Sequence, residues 1–319
     1  MRSPKHPGSR FSRRTVLATG VAAGMGWAMR PLLAATATEL PLIRKAVPST
    51  KEMLPAIGVG TNNFTAASAD ELAARRAVLE RLPQLGGSVV DTAAIYGKSE
   101  EVIGQDMVDL HLREKLFIST KVMVRNGNAD QGKAQIEDSF RHLQVQKIDV
   151  LHVHNLAAPE AMMPVLQQLK RDGRIRYIGM TTSFSNQHAD MLALMRTQPV
   201  DFIQIDYSIG NRAAAQDILP LALEKGIAVM LNEPFGGRRG GSLLAKVADK
   251  PLPDWAAEID ATSWGQVMLK YAISHPAVTC AVPGTTKVAH LEDNLRAARG
   301  RLPDAALRRR MEQQWDSLA

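Results

Sequence analysis

Four side chains with acid–base chemistry lie at or near the ends of apolar segments in the first half of the chain. They are Asp91, Tyr96, Lys121 and His154. A tyrosine hydroxyl, whose pKa is ordinarily about 10, is a poor acid at neutral pH, and a nearby ammonium lowers that pKa by stabilising the phenolate. We predict that Lys121 has this effect on Tyr96. The carboxylate of Asp91 would hold the lysine charged and in place, and His154 would orient a carbonyl oxygen towards the acid.

Each of these residues by itself also has a plain structural explanation. A strand-end aspartate often caps a helix, a tyrosine near a helix start often packs, a lysine is usually solvated, and a lone histidine is more often a core residue than a ligand. The occurrence of all four residues at or near the ends of successive apolar segments favours a catalytic set. No cluster of histidines and carboxylates recurs there, so we predict no metal site and exclude a metal-dependent hydrolase. His152 shares strand parity with His154, and we interpret it as a buried structural histidine.

Short apolar runs alternate with segments of helical periodicity from Pro55 onward. The predicted strands are residues 56–60, 88–91, 116–121, 148–154, 175–180, 202–205, 228–231 and 279–282. The predicted helices are residues 70–85, 99–110, 129–143, 159–171, 186–196, 213–225, 262–274 and a terminal helix over 303–318. Strands that alternate with helices in this way predict parallel β–α units with right-handed crossovers.

Eight such units close a (β/α)8 TIM barrel, so the predicted fold class is α/β with a single catalytic domain. Catalytic groups of such barrels lie at the C-terminal ends of the strands, which is where the four polar residues occur. An open doubly wound sheet is the alternative, but no glycine-rich dinucleotide-binding turn follows the first strand. The one long irregular segment, residues 232–260, is predicted to be functional or mobile.

The positive charge of the chain is concentrated at its N-terminus. The chain has 319 residues and a formal charge of +7, with 39 Lys and Arg against 32 Asp and Glu. Residues 1–37 hold six of the basic residues and no acidic one, so the remainder carries 33 basic against 32 acidic residues. The charge therefore predicts no nucleic-acid partner. A single cysteine, Cys280, excludes an intramolecular disulfide framework and a cysteine-rich metal site.

The first 37 residues have the layout of a cleavable signal peptide. Ser12-Arg13-Arg14-Thr15-Val16-Leu17 precedes a run of small and apolar residues, and Ala35-Thr36-Ala37 provides the small residues of a cleavage site. The paired arginines predict the twin-arginine export machinery as a partner and a periplasmic or otherwise exported protein of residues 38–319. The apolar run is too short for a stable membrane anchor. The alternative is a disordered basic tail.

The segment from Asp91 to Gly97 resembles the DxxxxYG signature of the aldo-keto reductases, and Tyr96-Gly97-Lys98-Ser99-Glu100 continues it. The resemblance extends from Leu54 to about Gly300. Residues 54–61 look like the first strand of that family, residues 173–179 like the approach to its fifth, and residues 282–286 like its eighth. The order and spacing of the four acid–base residues match the catalytic tetrad of the family.

The resemblance implies reversible hydride transfer between a nicotinamide cofactor and a small aldehyde or ketone, with Tyr96 as the general acid in reduction. The implied cofactor is NADP, with NAD possible, bound extended on the barrel without a Rossmann fold. The residues at the nicotinamide-contacting positions are Thr181, Thr182 and Gln204. The phosphate end of the cofactor would meet Gly284, Thr285, Lys287, His290, Asp293 and Asn294.

Three positions depart from the family pattern. The usual Ser-Asn pair after the fifth strand is Thr181-Thr182, and Asn232 replaces the aromatic ring that commonly stacks on nicotinamide. His290 stands where many members carry an arginine for the 2′-phosphate. The cations left for that contact are Lys287, Arg238 and Arg239.

Two functions fit these observations. The complete acid–base set favours a working reductase, whereas the altered nicotinamide contacts favour a nicotinamide-binding sensor or accessory barrel with little turnover. The chain ends soon after its terminal helix, so we expect the long C-terminal substrate loop of many relatives to be absent and the site to be open. The substrate is not determined by the sequence, and a monomer is the default expectation.

Overall fold

Eight parallel strands form a closed sheet in the computed structural model, which describes residues 40–237 and 241–318. The strands of the chain are β1 (Arg44–Ala46), β2 (Met53–Pro55), β3 (Val59–Gly60), β4 (Val89–Asp91), β5 (Phe117–Val122), β6 (Ile148–Val153), β7 (Ile175–Thr181), β8 (Phe202–Asp206), β9 (Ala228–Asn232) and β10 (Val278–Ala281). Strands β3 to β10 pair in sequence order, and parallel bridges from Ile57 to Ala281 and from Gly60 to Gly284 join the first to the last. The predicted single-domain (β/α)8 barrel is therefore confirmed.

The helices surround this sheet. They are α1 (Ala69–Gln84), α2 (Ser99–Asp109), α3 (Ala129–His142), α4 (Pro159–Arg171), α5 (His188–Thr197), α6 (Ile218–Lys225), α7 (Leu243–Lys246), α8 (Trp264–Ile273), α9 (Val288–Arg296) and α10 (Ala305–Asp316). Short polar side chains cap the first turns of several, as where Ser68 accepts the Glu71 N–H at the start of α1. Gly226, in the left-handed region at φ 64°, ends α6.

An antiparallel hairpin of β1 and β2 precedes the barrel, and the sequence patterns did not predict it. Leu54 of β2 joins Val89, Phe117 and Phe202 in an apolar cluster at the N-terminal ends of the barrel strands. The Tyr177 ring lies 5.1 Å from that of Phe202, centroid to centroid. The half of the barrel interior at the N-terminal ends of the strands is therefore filled with apolar side chains. The polar residues of the interior lie in the half at the C-terminal ends.

Two predicted helices are divided in the structure. The helix predicted over 213–225 consists of a 3-10 turn, Ala213–Ala215, followed by α6, because Asp217 has a non-helical φ of −131°. Pro220 explains the break, since its ring clashes with the carbonyl four residues earlier in a continuous helix. The helix predicted over 186–196 is likewise a 3-10 turn, Ser185–Gln187, followed by α5.

The long segment over 232–260 contains secondary structure where the sequence patterns predicted none. It includes the single turn α7 and a 3-10 helix, Asp254–Ile259. Arg238 and Arg239 lie outside the described residues, as does the whole predicted signal peptide, 1–37, with its cleavage site after Ala37. Within the described part of the chain, no helix is long and apolar enough to cross a membrane.

Candidate active site

Three neighbouring strands bring acid–base side chains to the C-terminal end of the barrel. Asp91 is the last residue of β4, Lys121 lies near the end of β5, and His154 directly follows β6. Side chains alternate between the two faces of a strand. The apolar cluster at the N-terminal ends of the strands includes Val89, Phe117 and Val150. The three polar residues each lie an even number of positions after one of these, so their side chains also face the interior of the barrel.

Tyr96 is positioned by the loop between β4 and α2. The Thr65 hydroxyl donates to the Tyr96 carbonyl at 2.9 Å and accepts the Lys98 N–H at 2.9 Å. Gly97 between them has a φ of 60°, and a Cβ atom there would lie 2.4 Å from the Thr65 Oγ1. The glycine after the tyrosine is therefore required both by its backbone conformation and by the close approach of Thr65.

The four predicted catalytic side chains come together in space. Lys121 Nζ donates to Asp91 Oδ2 at 2.7 Å and to the Thr92 carbonyl at 2.7 Å. The lysine Nζ lies 5.3 Å from the centroid of the Tyr96 ring, and the rings of Tyr96 and His154 meet edge to face at 5.9 Å. The Ser119 hydroxyl donates to the other carboxylate oxygen of Asp91 at 2.7 Å. The buried lysine is thus held beside the tyrosine by an oriented carboxylate.

The pKa of Tyr96 differs from the sequence-based expectation. The Lys121 ammonium has the largest single effect and lowers that pKa, as predicted. Burial and the negative charges of Asp91 and Glu233 act in the opposite direction, and the net result is a pKa raised above its ordinary value. Burial is the larger of the opposing effects, and the Asp91 carboxylate, 2.7 Å from the lysine Nζ, adds a negative charge near the same tyrosine. The predicted effect of Lys121 on Tyr96 is therefore present, but the opposing effects outweigh it and keep the pKa above its ordinary value.

The two histidines of β6 and its C-terminal end are both neutral at physiological pH. Burial, followed by the Lys121 charge, lowers the pKa of His154 to about 3. Burial also lowers the pKa of His152 well below its ordinary value, as expected for the buried residue predicted there. The His152 ring packs on Gly179 of β7, where a Cβ atom would lie 2.0 Å from the ring Nδ1. A neutral His154 can donate one hydrogen bond to a carbonyl oxygen without competing for its proton.

A cavity of about 310 Å³ opens at this end of the barrel. Tyr96, His154 and Asp91 line it, together with three of the predicted cofactor residues: Thr181, Gln204 and Gly284. The cavity thus brings the acid–base set and part of the predicted cofactor site into one space.

The other predicted cofactor residues lie outside the lining of this cavity. Thr182 is buried and its hydroxyl donates to Gln187 Oε1. Asp293 accepts hydrogen bonds from Ser263 and Gln266 at 2.7 Å each. Three more lie around the start of α9: Thr285, whose hydroxyl accepts the Lys287 N–H, and exposed Lys287 and His290. Buried Asn294 lies in the last turn of that helix.

Several lining residues were not singled out from the sequence. Asn62 and Asn63 follow β3, and Ser183 follows β7. Asn155 and Glu233 have left-handed backbones, with φ of 50° and 49°. Asparagine adopts that conformation more readily than most residues. Their positions directly after barrel strands were the available signal. The described residues include no group of three or more His, Cys, Asp and Glu side chains that could hold a metal ion.

Comparisons with known proteins point to one family. Residues 56–312 match the sequence profile of the Aldo/keto reductase family. The methylglyoxal reductase YeaE of Escherichia coli is 30% identical over 264 residues, which cover 80% of this chain and 89% of that protein.

Solved structures have the same fold. A thermostable aldo-keto reductase in complex with the inhibitor epalrestat is 26% identical, with a TM-score of 0.69 and coverage of 87% of this chain and 100% of that one. An aldo/keto reductase from Klebsiella pneumoniae in complex with NADP and acetate is 23% identical, with a TM-score of 0.65 and coverage of 83% and 93%.

Proposed function

The chain belongs to the aldo/keto reductase family, and from that premise we propose that it reduces small aldehydes or ketones with NADPH, with Tyr96 as the general acid. The observation that carries this proposal is the contact of buried Lys121 with Asp91 beside the Tyr96 ring, at the wall of an open cavity. This arrangement provides a proton donor and a cation that stabilises the anion left when the proton departs.

Each residue of the set has a separate task in the proposed reaction. NADPH, when bound, supplies the hydride for the carbonyl carbon. Tyr96 donates its hydroxyl proton to the carbonyl oxygen, so that the product is an alcohol and the tyrosine becomes a phenolate. Lys121 stabilises that phenolate, and Asp91 keeps the lysine in place. Neutral His154 hydrogen-bonds to the carbonyl oxygen and orients it towards Tyr96.

The residues at the rim fit a phosphorylated cofactor. Gly236, Gly237 and Gly284 line the cavity, and their backbones permit close approach of a ligand. Helix α9, nine residues long, begins with unpaired backbone N–H groups directly after Lys287. We propose that the cofactor phosphates lie against this helix start, with Thr285, Lys287 and His290 around them.

The substrate proposal follows from the relative and from the cavity. The similar protein of Escherichia coli is named a methylglyoxal reductase, and a cavity lined by Asn62, Asn63 and Asn155 suits a small polar carbonyl compound. Purified protein supplied with NADPH and methylglyoxal, followed at the nicotinamide absorbance band, tests the proposal. Turnover that depends on Tyr96 supports a reductase. Tight NADPH binding without turnover of any aldehyde in a panel would favour the sensor instead.

We expect Lys287 to determine the preference for NADPH over NADH. A charge-assisted contact of its ammonium with the 2′-phosphate is worth on the order of 1 to 3 kcal/mol. Lys287→Ala should therefore weaken NADPH binding by about 5- to 150-fold and leave NADH binding nearly unchanged, because NADH lacks that phosphate. Both dissociation constants, measured by titration of the wild type and the variant, check this result.

Lys147 provides the matched control for this measurement. It is an exposed lysine directly before β6, at the opposite end of the barrel, so Lys147→Ala should leave both constants unchanged. An equal effect of Lys287→Ala on NADPH and NADH, or an effect on neither, would place the phosphate contact elsewhere, with Arg238 and Arg239 as the next candidates.

We also propose that the protein is exported through the twin-arginine route as a folded barrel. Ser12-Arg13-Arg14, the apolar run and the Ala35-Thr36-Ala37 site support this proposal. Replacement of Arg13 and Arg14 together by lysine should retain the protein in the cytoplasm, since the export receptor reads the pair as an address and not as charge. Cell fractionation measures the outcome. The control replaces Arg2 and Arg10 by lysine, and normal export of the Arg13, Arg14 variant would refute the assignment.

A further inference from the structure

The Thr182 hydroxyl, at a position predicted to contact nicotinamide, is already engaged within the protein. It donates to Gln187 Oε1 at 2.5 Å and accepts the Phe184 N–H at 3.0 Å. Its donor is therefore used, and Thr182 lies outside the lining of the cavity. Recognition of a ligand amide at this end of β7 has to come from a different side chain.

The Asn232 side chain extends across the end of β8 and contacts the backbone of Thr182. It is the last residue of β9, and its Nδ2 donates to the Thr182 carbonyl at 3.2 Å. Between them, β8 carries Gln204, whose carbonyl accepts the Thr182 N–H at 3.0 Å. A carbonyl oxygen can accept a hydrogen bond only from the nitrogen of the amide, so this contact fixes which way the Asn232 amide faces. Its Oδ1 is directed away from Thr182.

Gln204 and Asn232 leave one donor and one acceptor unmatched. Both side chains line the cavity, and Gln204 is 1% exposed. Neither Gln204 Nε2 nor Asn232 Oδ1 has a hydrogen-bond partner among the described residues, and both atoms are shielded from solvent. Shielded polar atoms without partners destabilise a protein unless a ligand satisfies them.

We propose that Asn232 recognises the primary carboxamide of nicotinamide, with its Oδ1 accepting a hydrogen bond from the amide NH2 group. The oxygen and the NH2 group of a primary carboxamide match one donor and one acceptor at once. Gln204 Nε2 then donates to the amide oxygen. This inference rests on the proposed function, since it assigns a binding residue for the cofactor of that same site.

Binding of a cofactor analogue that lacks the NH2 group tests this contact. In 3-acetylpyridine adenine dinucleotide phosphate a methyl group replaces that NH2. By calorimetry, the wild type should bind NADP+ about 3- to 30-fold tighter than the analogue, the range for one buried hydrogen bond. Asn232→Leu, which keeps the side-chain size, should weaken NADP+ binding by a similar factor and leave binding of the analogue nearly unchanged. The preference for NADP+ then disappears.

Asn126→Leu is the matched control, because Asn126 is exposed on the loop after β5 and lies outside the lining of the cavity. That variant should retain the wild-type preference. If Asn232→Leu prevents folding, Asn232→Ala provides the same comparison. An equal effect of the substitution on both ligands, or an effect on neither, would overturn the inference while the proposed function stands. Failure of the wild type to bind NADP+ at all would contradict the proposed function itself.

Discussion

Tyr96→Phe is expected to lower the rate of carbonyl reduction by about 100- to 10,000-fold, the usual contribution of general acid catalysis. The substitution removes only the hydroxyl. The phenylalanine ring can keep the edge-to-face contact with His154 and the contact with the Lys121 ammonium. Folding and cofactor binding should therefore survive, and steady-state kinetics with methylglyoxal and NADPH, together with the NADPH dissociation constant, check both parts.

Tyr177→Phe is the matched control, since it makes the same chemical change at the other end of the barrel. The Tyr177 hydroxyl contacts Thr50 and Glu52 near the hairpin of β1 and β2. We expect that variant to have normal kinetics.

Because the pKa of Tyr96 is raised above its ordinary value, its hydroxyl remains protonated at neutral and mildly alkaline pH, and reduction should decline only as the pH approaches that raised pKa. Full activity of Tyr96→Phe would remove the residue from the mechanism.

Lys121→Met is expected to impair both stability and catalysis. The lysine and Asp91 side chains are 1% and 6% exposed, so loss of the ammonium leaves a buried carboxylate without its counter-charge. Breaking such a pair costs about 3 to 5 kcal/mol of unfolding free energy. The phenolate of Tyr96 also loses the group that lowers its pKa most, so the reduction rate should fall. Thermal unfolding and kinetics measure the two effects separately.

A second substitution distinguishes the structural role of the lysine from its catalytic role. Asn in place of Asp91 removes the unpaired charge, so the double variant Lys121→Met, Asp91→Asn should regain most of the lost stability. It should not regain activity. Lys170→Met serves as the exposed comparison, because Lys170 pairs with Asp201 at 2.6 Å while 41% exposed, and surface pairs contribute about 1 kcal/mol or less. Wild-type stability of Lys121→Met would contradict the proposed role of the pair.

The barrel could be predicted because its strands are marked locally. Short apolar runs bounded by helical periodicity predicted each of the eight barrel strands within three residues of its observed ends. Asp91 and Lys121 were found by their position at strand ends, which parallel topology brings to one end of the sheet. The hairpin of β1 and β2 was missed, because each strand has only three residues and is too short to show the alternating pattern of a β-strand.

The effect of these side chains on one another depends on the three-dimensional arrangement. Local patterns in the sequence are enough to place a tyrosine and a lysine at neighbouring strand ends, but the sign of the Tyr96 pKa shift depends on burial and on a carboxylate 2.7 Å from the lysine. The direction of the Asn232 amide likewise depends on the Thr182 carbonyl, 50 residues earlier in the chain. Hydrophobic period is a property of adjacent residues, whereas charge balance and amide orientation are set through space by residues distant in sequence.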